Sequence, residues 1–178
     1  VCGIASLGID HEGFLLAPEE GVPDMPPLQR IAFEKAGIVK AEIPLVTLDY
    51  PAEVAEAIAM VAERVGAPVI SQNLGWGVKA GDGGLTYADK QSQFFTYEPL
   101  PLAGHHQVLN AGLAIAMLRH QEAVPITEDA IRKGLANARW PARMQRLSSG
   151  PLVKALPESS EVWLDGGHNP DAGAALSK

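Results

Sequence analysis

The chain has 178 residues, a formal charge of -7 and a pI near 5.2. An acidic chain with no Lys/Arg cluster excludes nucleic acid or an anionic membrane surface as its main partner, while small anionic ligands need only a few local cations. A single cysteine, Cys2, excludes an internal disulfide and any multi-cysteine metal site.

The apolar content of 47% against 20% charged residues argues for a folded chain rather than a disordered one. There is no run of about 18 apolar residues and no basic-start signal peptide, so the expected location is a reducing cytoplasm. The chain opens directly in an apolar strand pattern without Met and closes in the first turns of a helix. It is therefore expected to be an internal piece of a longer protein.

In chain order, residues 1–9 predict a strand that runs into Asp10 and His11. Residues 17–27 carry four prolines and three acids, which predicts a surface insertion. Residues 28–38 have helical spacing, with Gly37 at the end. Residues 44–48 predict a short strand. Residues 51–65 predict an amphipathic helix with Val54, Ala55, Ile58, Val61, Ala62 and Val65 on one face, between Pro51 and Gly66. Residues 67–71 give another strand. Strand, helix, strand, helix, strand implies parallel βαβ units.

The pattern changes at Gly75. Glycine-rich turns and alternating residues predict an antiparallel meander through residue 97. A long Ala/Leu helix is predicted at 105–120 and a second from Thr127, its cap, to 136. Trp140 and Pro141 interrupt the chain. Strands are then predicted at 144–147, 152–156 and 161–164, before a closing helix. The predicted domain boundary falls at the Trp-Pro stretch, giving 1–138 and 139–178. The second part is too short for a core of its own.

Five places carry chemistry. Asp10 and His11 sit at a strand's carboxyl end, where ligands bind in parallel α/β sheets; the plain alternative is a loop hydrogen bond. Lys35 lies in a last helical turn, where a lysine ordinarily offsets the dipole in solvent. Gln107 and Asn110 share a helix face near an N-terminus, suited to phosphate oxygens or to simple capping. Arg143 follows Pro141 at the junction, suited to a phosphate clamp or an interdomain ion pair. In residues 164–170, Leu-Asp-Gly-Gly-His-Asn-Pro, a strand ends at Asp165 and two glycines allow close backbone approach. This is the most site-like turn in the chain. There is no Gly-Lys dipeptide, hence no P-loop, and no G-x-G-x-x-G.

Taken in order, these motifs resemble the folylpolyglutamate synthase/dihydrofolate synthase branch of the Mur ligase superfamily. Residues 4–11 are similar to "I-x-x-I-G-x-D-H", 31–38 to "I-A-x-E-K-A-G-I" and 106–111 to "x-Q-x-x-N-A". Residues 140–143 are similar to "x-P-G-R" and 164–170 to "D-G-A-H-N-P", with Ala142 and Gly167 as mild departures. The resemblance implies a Mur-ligase-like central α/β domain with parallel βαβ units and an antiparallel edge, plus the start of a Rossmann-like C-terminal domain.

It also implies an ATP-dependent ligase that adds L-glutamate to dihydropteroate or reduced folates through an acyl phosphate. On matching positions, His11 is implied as a Mg2+ ligand and Lys35 as a carbamylated lysine of the second metal site. Asn110, Arg143 and Asp165 are implied as nucleotide contacts, and His168 as a neighbour of the transferring phosphate. The implied partners are small molecules only, with neither nucleic acid nor membrane, and the protein is expected to be a monomer. The family's phosphate loop and its "E-x-G-x-G-G-x-x-D" segment are not in the chain, so no catalysis is expected from it alone. Another amino-acid ligase of the superfamily, or a non-catalytic nucleotide- or partner-binding module, is the alternative.

Overall fold

Leu45, Val46 and Thr47 are all buried, the mark of a strand covered on both faces. In the computed structural model they form β2, the centre of a three-stranded parallel sheet. The structure describes all residues except 11, 12, 14, 15, 18, 19, 20, 82, 91 and 178. Strand β1 (Cys2–Ile4) pairs with β2 (Leu45–Thr47) in register Cys2 to Leu45, and β3 (Val69–Ser71) pairs on the other side, Leu45 to Val69.

One face of this sheet is covered by α1 (Pro27–Ala36) and α2 (Ala52–Val65). Their buried residues Ala32, Phe33, Val54, Ile58 and Val61 pack with Ile4 and Leu45. Fully burying side chains such as Ile58 contributes about 1.5–3 kcal/mol each. In α2 the buried face is Val54, Ala57, Ile58, Val61 and Ala62. Ala57 thus takes the place expected of Ala55, which is exposed. Gly66 closes α2 at φ 76°, in the left-handed region that a glycine enters without steric cost. Val22 and Met25, from the expected surface insertion, lean on this same core.

The other face is covered by an antiparallel meander and two helices. The meander is β4 (Trp76–Gly81), β5 (Gly84–Asp89) and β6 (Ser92–Tyr97). The helices are α3 (His105–Arg119) and α4 (Glu128–Ala136). Val46, Trp76, Tyr87, Tyr97, Leu113 and Ile131 form this second core. Thr127 caps α4 as expected, its hydroxyl accepting the Ala130 N–H at 3.2 Å. Gly112 lets α3 close on β4: a methyl group there would sit 2.5 Å from Val78 Cγ1.

Past Ala136 the chain forms β7 (Gln145–Leu147), α5 (Pro151–Lys154), β8 (Val162–Leu164) and α6 (Pro170–Leu176). The strand expected at 152–156 is instead the short helical turn α5. Gly150, at φ 113°, turns the chain, and Pro151 presets the helical φ. β7 pairs directly with β8, Gln145 opposite Leu164, and Leu152 is 67% exposed. None of the described residues of this last segment belongs to either core.

Candidate active site

The site grows from three chain segments that meet beyond the carboxyl ends of β1 and β8. The first is the exit of β1. The Tyr50 hydroxyl lies 2.8 Å from the Ile4 carbonyl and 2.7 Å from that of Ala5, and so tethers the strand's end. Burial pushes the Tyr50 phenol well above its ordinary pKa, against a smaller opposing effect of the Leu48 backbone, so it stays a donor.

The second segment is the turn after β8. Asp165 accepts the Met144 N–H on one oxygen at 2.8 Å and the Gly167 N–H on the other at 2.7 Å. It thereby locks the end of β8 to the start of β7. Burial alone would raise its carboxyl. The two backbone donors, with Arg143 and His106 nearby, more than offset that and hold it below the usual range. His168 turns its Nδ1 to the Gly166 carbonyl at 2.9 Å and its Nε2 to Asp10 at 3.3 Å. Those two contacts raise its pKa, the Gly166 carbonyl most. Asn169 caps α6, its oxygen accepting the Ala172 N–H at 2.8 Å.

The third segment is residues 142–143. The Gly166 N–H donates to the Ala142 carbonyl at 2.8 Å, which brings Arg143 over the glycine. A methyl group on Gly166 would sit 2.6 Å from Arg143 Nη1, so the guanidinium depends on that bare backbone. Together with His106 at the start of α3, the segments line a cavity of about 360 Å³ whose walls include Gly8, Arg143, Asp165 and His168.

Of the residues expected from sequence, Arg143, Asp165 and His168 are brought together here. Asn110 is half-buried one helical turn further along α3 from His106. It donates to Gln107 Oε1 at 3.1 Å, and Gln107 in turn touches His106 at 3.0 Å. Lys35 is exposed in the last turn of α1 and does not line the cavity. His11 lies outside the described residues. Among the described residues, no group of three His, Cys, Asp or Glu side chains is placed to hold a metal ion.

Sequence reasoning placed Asn169 in the site-like turn but missed His106 and Asp171 as parts of the site. The Asn-Pro-Asp pattern that opens α6 is a legible helix start, but nothing local says that its acid, Asp171, reaches back to the residues after β1. The walls carry one guanidinium, two imidazoles and an open glycine backbone beside the Asp165 and Asp171 carboxylates, a set with donors for the oxygen atoms of an anionic ligand.

The fold is that of the Mur-type ligases. E. coli FolC in complex with DHPP and ADP superimposes with a TM-score of 0.77 at 30% identity, over 98% of this chain and 36% of that one. Folylpolyglutamate synthase of Lacticaseibacillus casei is 35% identical over 158 residues, 79% of this chain and 32% of that protein. The dihydrofolate synthase/folylpolyglutamate synthase of Bacillus subtilis is 33% identical over 184 residues, covering 98% and 38%. No protein-family model matches the chain. The chain is similar in sequence and fold to the folylpolyglutamate/dihydrofolate synthases, and it spans 32–38% of the length of these relatives.

Proposed function

We propose that the protein to which this sequence belongs is an ATP-dependent ligase that joins L-glutamate to dihydropteroate or a reduced folate. The observation that carries the reading is the convergence of Arg143, Asp165 and His168, from two separate motifs, on one cavity at the exit of β1. The related E. coli FolC binds ADP and DHPP. In this reading residues 1–138 belong to the central ATPase domain and 139–178 open the C-terminal domain. That agrees with none of the described residues of the last segment belonging to either core. A monomer in the cytoplasm completes the proposal; among the described residues no helix is long and apolar enough to cross a membrane.

The reaction joins a carboxylate to an amine in two steps. A substrate carboxylate oxygen attacks the γ-phosphorus of ATP, and the bond to the ADP oxygen breaks. The glutamate amine then attacks the acyl carbon, phosphate leaves, and the amine gives up a proton. The first step brings two anions together. Arg143 supplies fixed positive charge where that repulsion is greatest. His168, with both nitrogens facing acceptors, keeps its protons and so presents positive charge beside the phosphate oxygens rather than acting as a base. Asp165 spends both oxygens on backbone donors, so its part is to hold the turn in place, with lone pairs left for a sugar hydroxyl.

Asn110 is assigned a nucleotide contact through the Asn110–Gln107–His106 chain that ends at the cavity wall. Magnesium enters as the counter-ion of ATP, and the motifs assign His11 and a carbamylated Lys35 to it. The described side chains do not form a metal site by themselves, so no step is drawn through the ion.

The test is calorimetric titration of ADP into the chain and into Arg143→Ala, alongside an assay of the intact protein with ATP, dihydropteroate and L-glutamate. The expected result is ADP binding that Arg143→Ala weakens by about tenfold or more, the loss of one charge-assisted contact. Equal binding by both forms would assign the cavity to another ligand.

A further inference from the structure

Asp10 was singled out with His11 as a strand-end pair, yet the proposed chemistry gives it no task. It is joined to the other end of the chain. Asn169 Nδ2 donates to Asp10 Oδ2 at 2.9 Å, across 159 residues. A second bond runs in the opposite sense, the Ile9 N–H donating to Asp171 Oδ2 at 2.9 Å. His168 Nε2 lies 3.3 Å from the same Asp10 oxygen. The segments are tightest at Gly8, where a methyl group would sit 2.3 Å from Asp171 Oδ2. One segment supplies Leu7 and Gly8 to the cavity, the other Gly167 and His168.

We propose that Asp10 is a positioning residue that seats the 167–169 turn against the exit of β1, so that the cavity keeps its shape only while this clasp is closed. The proposal rests on reading that cavity as the nucleotide site. Three features support it. First, β7, α5, β8 and α6 add no residue to either core, so apolar packing does not fix the turn. Polar contacts therefore decide where it sits.

Second, Asn169 and His168 are each aimed at Asp10 beforehand by a local bond. Asn169 is oriented by its cap on Ala172, and His168 by the Gly166 carbonyl. Asp10 has only to receive groups already pointing at it, which lowers the entropic cost of closure. Third, the Asp10 and Asp171 bonds are reciprocal, each segment giving one carboxylate and taking one donor. A pair of opposed bonds fixes both translation and rotation of the turn, which a single bond does not.

The test is amide hydrogen exchange on the chain and on Asp10→Ala and Asp10→Asn, with ADP titrated into each. In Asp10→Ala, exchange at Ile9 and at residues 167–172 is expected to rise about tenfold while β1–β3 stay protected, with the ADP dissociation constant rising by about the same factor. Asp10→Asn keeps an oxygen that accepts the Asn169 amide and is expected to restore most of both, a rescue that loss of general stability would not give. Unchanged exchange at Ile9 and 167–172 in Asp10→Ala overturns the proposal. So does loss of protection throughout β1–β3 in both variants. If the wild-type chain binds no ADP, the nucleotide reading falls, while the exchange pattern still decides whether the clasp exists.

Discussion

Arg119, in the last turn of α3, meets Asp89, at the end of β5, with Nε 2.6 Å from Oδ2, and the Asp89 side chain is fully buried. The guanidinium also lies 4.8 Å from the Phe95 ring centroid and 5.9 Å from that of Tyr87. The Tyr87 hydroxyl donates to the same Asp89 oxygen at 3.1 Å. One cation thus ties α3 to two strands of the meander. Arg119→Ala strips a buried carboxylate of its cation and is expected to cost about 3–5 kcal/mol. Arg119→Lys keeps the charge but loses the planar stacking, and is expected to fall between. Urea denaturation of the three proteins checks the order; equal midpoints for wild type and Arg119→Ala would refute it.

Two glycines in helices are expected to respond oppositely to the same change. A methyl group at Gly134, in α4, meets nothing within 4 Å, so Gly134→Ala stabilises by roughly 0.5–1 kcal/mol through helix propensity. At Gly112 the methyl group would press on Val78 and Trp76, and overpacking there costs about 1–3 kcal/mol. Thermal melts of the pair give the signs directly.

Tyr50→Phe keeps the ring and removes the tether on the Ile4 and Ala5 carbonyls. A loss of about 1 kcal/mol is expected. Increased exchange of the amides that follow β1 accompanies it, visible by NMR. A full-strength tether in the variant would show that the strand end is held by its pairing with β2 instead.

The 165–168 turn carries two titrations of opposite sense. Asp165 is held below the usual carboxylate range, so its contribution is complete above about pH 3.9 and lost as pH falls through its lowered value. His168 is raised above about 6.5, so its contribution is complete below that pH and lost as pH rises through the raised value. The turn is therefore best ordered between about pH 4 and 6.5. The His168 ring, followed by NMR, should titrate above about 6.5 and move back toward it in Asp10→Ala. A ring that titrates at the ordinary value in both proteins would contradict the Asp10 contact.

Much of this was legible because local signals agreed. Pro51 and Gly66 bracket α2, Thr127 opens α4, and the change of period after Gly75 marks the meander. Residues 152–156 misled because four apolar residues in a short run read alike as strand or helix. The tie was broken by Gly150 and Pro151, and by β7 already having β8 as partner. In the site, Arg143, Asp165 and His168 could be read from motif chemistry. The reach of Asp171 to Ile9 could not, because a bond across 162 residues leaves no trace in local spacing.

Strand β2 sends Leu45 into one core and Val46 into the other. In most sheets a one-residue slip is forbidden because it would drive polar side chains inward. Here a slip would exchange the hydrocarbons Leu45 and Val46, so between these two positions polarity exerts no veto on how β2 is threaded. The alignment must be keyed from outside the strand. The Glu42 backbone, held at φ 61°, donates to the Gly66 carbonyl at 3.1 Å, and Leu45 donates to Pro68 at 2.9 Å. A strained bend in an exposed connector thus sets the phase of the central strand and with it which side chains each half of the molecule receives.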